Sequence, residues 1–261
     1  MLAIAVGVAV AAVIAAHLVV GAALPELAFF AATFVAVVGV LVILAIARAR
    51  RVRPPTPTAT LLVVIAVSAA VAATAAFLVQ HPTAAEGLPP ARAAFLAVAL
   101  AGCLWLAVAP PRRLGGSRVA PYLGIGAAVL YCLAVLASER ANLGELVPLL
   151  VFFGPTLMFL VPGLIGAAMG RSFRAGVQAG LWAAIAVLPL SWALGLTEAS
   201  HQYAVKGEWL FAGDVVNAGF IFGFNLLLFA LTPTVGFPFA VVGATAGALN
   251  RRTASVPERA S

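Results

Sequence analysis

Long uncharged apolar runs alternate with short polar segments from one end of this chain to the other. A helix needs about 20 such residues to cross a hydrocarbon core ~30 Å thick. The pattern predicts spans at 2–20, 25–47, 60–80, 93–109, 119–137, 146–169 and 175–196, followed by a last apolar stretch at 215–249. The first run resembles a signal-peptide core. It lacks a basic leader and is too long for an h-region, so it is read as a retained span.

The punctuation between spans is mostly proline and charge. Pro54-Pro55-Thr56-Pro57 and Pro110-Pro111 cannot continue a helix. His81 to Arg92 reads as a polar loop, and Arg171 to Arg174 as a four-residue turn between spans six and seven. The longest loop is Thr197 to Asp214, with Glu198, His201, Tyr203, Lys206, Glu208 and Trp209. As one straight helix the last stretch would run about 52 Å, well beyond the hydrocarbon core. Thr232-Pro233-Thr234-Val235-Gly236-Phe237-Pro238 in its middle predicts a break there. The fold class is an all-α polytopic transmembrane bundle of about eight spans, the last one broken near Thr232–Pro238.

Composition agrees. The 261 residues are 64% hydrophobic and 9% charged, against roughly 25% charged in soluble domains. Strands of alternating polarity, the signature of a membrane barrel, are missing from the pattern. The chain reads as a single integral membrane domain over 1–261. Spans one to five, at 1–145, are Ala/Val-rich; spans six to eight, at 146–250, are Gly/Phe-rich; a cytoplasmic tail follows at 251–261.

The net charge of +7 suggests nucleic acid only until the charges are placed. Arg48, Arg50, Arg51, Arg53, Arg112, Arg113, Arg118, Arg171, Arg174, Arg251 and Arg252 all fall on one side of the predicted bilayer, without an acid among them. The other side carries Glu26, Glu86, Glu139, Glu145, Glu198, Glu208 and Asp214 against Arg92, Arg140 and Lys206. Basic loops mark the cytoplasmic side, so both termini are expected there and the number of crossings is even. Arginines beside span ends serve topology and lipid headgroups, which removes the nucleic-acid reading. Abundant Ala and Arg with a single Lys suggest a high-GC prokaryote and its cytoplasmic membrane.

Small residues supply the most specific pattern. Gly163, Gly166 and Gly170 line one arm of the span six–seven hairpin, and Gly176 and Gly180 the other. Gly219/Gly223 and Gly243/Gly247 repeat the four-residue spacing in the last stretch. Such faces let backbones approach closely, either within the chain or against another membrane protein.

Candidate chemistry is sparse. The deep interior of the spans holds no Asp, Glu, Lys or Arg, which disfavours an ion-coupled pump. Asn225 is predicted near mid-membrane with Thr232 seven residues on and Asn217 shallower, a set suited to interhelical bonds or to lining a solute path. His17, His81, Glu198 and His201 are all expected at the outer face, where they form a candidate metal site. Cys103 and Cys132 lie within spans and fit no metal or redox spacing. No cofactor is specified. The reading is a non-enzymatic membrane protein, either an accessory or scaffold subunit of a membrane complex or a facilitator for a small or lipidic solute. The alternatives are a membrane enzyme using the outer-face His/Glu set and a passive pore along the broken last helix.

Overall fold

The computed structural model describes residues 57–108, 117–141, 146–211 and 213–254, with the backbone alone at 250–254 and isolated helical positions at 32–34, 36 and 39. Six helices among these residues are long and apolar enough to cross a membrane. They are α1 (Pro57–Gln80), α2 (Pro90–Val108), α3 (Ala120–Arg140), α4 (Leu146–Gly170), α5 (Phe173–Lys206) and α6 (Ala218–Ala254). They correspond in order to predicted spans three to eight. Spans one and two, the Arg48–Arg53 cluster, Arg112 and Arg113 lie outside the described residues, apart from the isolated positions, of which Phe34 is fully buried. The chain is a helical, multi-pass membrane protein. In lipid a helix satisfies its backbone within one segment, which is why apolar runs of this length adopt it.

Helix ends follow local chemistry. Pro57 and Pro90 open α1 and α2, where a missing N–H costs nothing. The α4–α5 turn is tighter than expected, with only Arg171 and Ser172 between the helices. Arg171 takes a left-handed φ of 50°, and the Ser172 N–H reaches back to the Ala167 carbonyl at 3.2 Å. That pairing closes α4 as a Schellman turn. The Ser172 hydroxyl then accepts from Ala175 N–H at 3.2 Å and caps α5.

Two sequence expectations need correction. The last span is not broken: α6 runs helical through Thr232–Pro238, with Pro233 and Pro238 inside it. A proline removes one donor and crowds one carbonyl, and a packed membrane helix tolerates this because neighbouring groups take up the freed carbonyl. Nor is Thr197–Asp214 a loop. Ten residues of it prolong α5 as far as Lys206, and Trp209–Phe211 (β1) pairs antiparallel with Asp214–Val216 (β2). The expected loop after His81 likewise contains a 3-10 turn, Pro82–Gly87. Helices α5 and α6 are therefore about 50 and 55 Å long, longer than one crossing requires.

The chain divides into two compact units, Met1–Pro110 with Leu188–Ala230, and Pro111–Val187 with Leu231–Ser261. In the first unit, α1 and α2 run antiparallel, tied where the Thr60 hydroxyl donates to the Ala107 carbonyl at 3.0 Å. The 188–206 part of α5 and the 218–230 part of α6 complete its core. Trp192 sits at the centre, edge-on to Phe222 at 5.1 Å and to Phe229 at 5.7 Å between ring centroids. Its indole N–H donates to the Thr74 hydroxyl at 2.8 Å, and that hydroxyl donates in turn to the Ala70 carbonyl.

The second unit is assembled on glycine. A Cβ on Gly163 would fall on the Ala240 carbonyl, and one on Gly176 on the Gly163 carbonyl and Ala244. Gly243 and Gly247 lie against the Leu160 and Leu164 carbonyls, and Gly180 against Ala240. Gly166 and Gly170 face Ala175 across the hairpin, and Gly124 of α3 lies against the Ala179 backbone. Backbones this close gain dispersion that bulkier residues would prevent.

Candidate functional site

Among the described residues, one end of the first unit gathers a cluster of polar and aromatic side chains. It is built where α1 stops. Pro82 disfavours helical geometry in the residue before it, and His81 accordingly leaves the helix at φ −133°, ψ 76°. Its imidazole is carried out to two other rings, Tyr203 at 4.8 Å and Trp209 at 4.7 Å, both nearly perpendicular to it. Tyr203 and Trp209 lie 4.3 Å apart. Phe77, one turn back on α1, lies under the imidazole at 5.0 Å. Burial among these rings lowers the His81 pKa, because a charged imidazole loses hydration there.

Each partner is held from a different element. Tyr203 rides on the extension of α5 beyond Thr197. Trp209 opens β1, and its buried indole N–H donates to the Ala199 carbonyl at 2.9 Å. The 3-10 turn is fixed by close backbone approach: a Cβ on Gly87 would stand 2.6 Å from the Gly219 carbonyl oxygen. Arg92 donates to the Gly87 carbonyl at 3.2 Å, and its guanidinium borders Gly223. The Gly219/Gly223 pair thus meets a turn and an arginine, whereas the other glycine pairs meet helices.

Glu198 and His201 lie on one face of the α5 extension, with Nδ1 to Oε1 at 3.6 Å. The glutamate side chain is only 9% exposed and the histidine 44%. A carboxylate beside an imidazole is a pairing of the residue types that general acid–base chemistry uses. His81 belongs to the aromatic cluster. Among the described residues no three His, Cys, Asp or Glu side chains converge on a point where a metal could sit. His17 lies outside the described residues.

The predicted polar set has other occupations. Asn217 caps α6, its Oδ1 accepting from Phe220 N–H at 2.8 Å. Asn225 donates from Nδ2 to the Ile221 carbonyl at 3.0 Å, and its Oδ1 presses on Gly195 of α5. Thr232 is buried. Arg171 and Arg174 are exposed at the α4–α5 turn, and Arg251 and Arg252 lie in the last turn of α6.

Sequence reading passed over Thr74, Phe77 and Gln178, and its reading of Trp192 as an interfacial anchor does not hold, since Trp192 is 1% exposed in the core of the first unit. Phe77 and His81 stand four apart, the spacing that stacks side chains on a helix, and that signal was available. Gln178 of α5 is 2% exposed, deeper in protein than Asn225. Thr74 looks like any small residue in an alanine-rich run.

The chain has no match among protein-family models, curated proteins or solved structures.

Proposed function

We propose that this protein is an accessory or scaffold subunit of a membrane complex. The observation that carries this reading is how the interior polar groups are spent, with the Ser68 hydroxyl as the exception among the described residues. The Trp192 and Thr74 donors, the Thr60 hydroxyl and the Asn225 amide N–H all bond within the bundle. The glycine faces of α4, α5 and α6 are likewise filled from within their own unit. A solute path needs polar groups facing water or substrate, and these face protein. The pore reading draws no support from Asn225.

The surface left for a partner is not the glycine faces proposed from sequence. Helix α3 offers Tyr122, Gly126, Leu130 and Leu133 at helical spacing on an exposed face, with open space beside Gly126. A neighbouring transmembrane helix fits such a face closely. The arginine distribution supports cytoplasmic termini, the abundant Ala and Arg with a single Lys support a prokaryotic cytoplasmic membrane, and on this reading the His81 end faces outward. Purification in mild detergent, with mass spectrometry of the retained proteins, tests the reading. A specific partner lost on Gly126→Leu is expected. A strictly monomeric particle from native membranes refutes it.

The buried Glu198 beside His201 favours a second reading, a membrane enzyme using this pair for proton transfer. It predicts a growth or activity phenotype shared by Glu198→Gln and His201→Ala. Wild-type behaviour of both variants removes it.

A further inference from the structure

The hairpin formed by β1 and β2 has one face turned to the bundle and one turned away. Strand alternation puts Trp209, Phe211, Asp214 and Val216 on one side and the directly paired Leu210 and Val215 on the other. On the first side Trp209 is buried, Phe211 is 39% exposed and Asp214 is exposed, while on the other Leu210 and Val215 are 48% and 66% exposed. An exposed cross-strand pair of large apolar side chains is costly in water and calls for an occupant.

Two contacts decide which occupant. Trp209 is anchored to the Ala199 carbonyl, seven residues and about 10 Å short of the end of α5 at Lys206. Phe211 packs edge-on against Phe220 at 5.1 Å and Phe224 at 4.8 Å, the latter six residues, about 9 Å, along α6 from its first residue. The hairpin therefore folds back alongside the last turns of α5 and the first turns of α6 and does not stand off their ends. Phe220, Phe224 and Leu227 follow at helical spacing on α6, and Phe220 and Leu227 are exposed. The apolar face of α6 passes through Phe211 into the hairpin.

We propose that the hairpin is an interfacial anchor, with Leu210 and Val215 seated in lipid at the acyl–headgroup boundary of the leaflet at this end. Its charged residues fit that depth. Glu208 lies outside the strands, and Asp214 is on the side opposite the Leu210–Val215 pair. The face toward lipid therefore carries no charge, as interfacial segments require.

Benzoylphenylalanine placed at Leu210 or Val215 of the full chain, in vesicles of phosphatidylethanolamine and phosphatidylglycerol, tests this directly. Leu227 serves as the lipid-facing reference and Lys206 as the aqueous one, and gel filtration verifies the fold of each variant. Lipid adducts at 210 or 215 in yields near that of 227, and several-fold above 206, are expected. Adducts to a second copy of the chain, or lipid yields at the level of 206 at both positions, overturn the proposal.

Discussion

The indole N–H of Trp192 donates to the hydroxyl of Thr74 across 118 positions of sequence, at 2.8 Å and fully out of contact with solvent. The same hydroxyl donates to the Ala70 carbonyl one turn earlier, so one threonine serves a neighbouring helix and its own. Phe222 and Phe229 close around the indole. This bond ties α5 to α1 in the core of the first unit, and its loss is measurable.

Thr74→Val keeps the volume and removes the acceptor, leaving a buried N–H unpaired at a cost of about 1–2 kcal/mol. The expected result is a lower melting temperature in detergent, followed by tryptophan fluorescence. In the Trp192→Phe background Thr74→Val costs much less, because no indole N–H remains to be orphaned. Equal losses in both backgrounds would mean that the bond contributes nothing.

Gly163 and Gly126 form a matched pair of tests. An added methyl at Gly163 meets the Ala240 backbone, while at Gly126 it meets nothing within 4 Å. Gly163→Ala should cost about 1–3 kcal/mol through overpacking. Gly126→Ala should be neutral or raise stability by up to ~1 kcal/mol, since alanine has less backbone freedom to lose in a helix. Thermal unfolding of the two variants side by side distinguishes close packing from simple helix propensity.

Arg171 holds a left-handed φ of 50°, which a side chain bearing a Cβ adopts at a cost of about 1 kcal/mol or more. Arg171→Gly relieves that and should raise the melting temperature, whereas Arg171→Ala keeps the strain and should not. A charge effect would move both variants alike, so the comparison separates backbone from electrostatics.

His81 sets a pH dependence. Its pKa is lowered from 6.5 by burial, so between the two values the unfolded chain binds a proton that the folded chain does not. Stability therefore rises with pH through that window. Its contribution is intact above about 6.5 and is lost as acid is added below it. His81→Phe, which keeps a ring against Tyr203 and Trp209, should flatten the acid side of a stability profile measured from pH 7 to 5. An unchanged profile would assign the acid loss to other groups.

The Glu198–His201 contact shows how close sequence reading came to the site. Their three-residue spacing is visible in the chain, but it becomes a contact only if the helix continues past Thr197. The polar residues there argue locally for a loop. Helix α5 goes on because the extension has something to lean on: Trp209 bonds the Ala199 carbonyl and Tyr203 stacks on Trp209. His81 shared the predicted metal set with this pair, yet it lies among aromatic rings, because Pro82 turns it out of α1 beside Tyr203.

Hydrophobic run length settled that this chain is a multi-pass helical membrane protein, because an uninterrupted apolar run of about 20 residues can satisfy its backbone in lipid within itself only as a helix. Proline and charge placed the ends of most helices for equally local reasons. Tertiary structure decided the rest. Pro233 and Pro238 stay inside one helix, Asn225 turns its amide to Ile221 and Gly195, Gly219 meets a turn at Gly87, and Thr74 finds Trp192. The contacts of Asn225 with Gly195, Gly219 with Gly87 and Thr74 with Trp192 depend on which backbone or ring arrives from a distant part of the chain, and spacing along one helix carries no record of that.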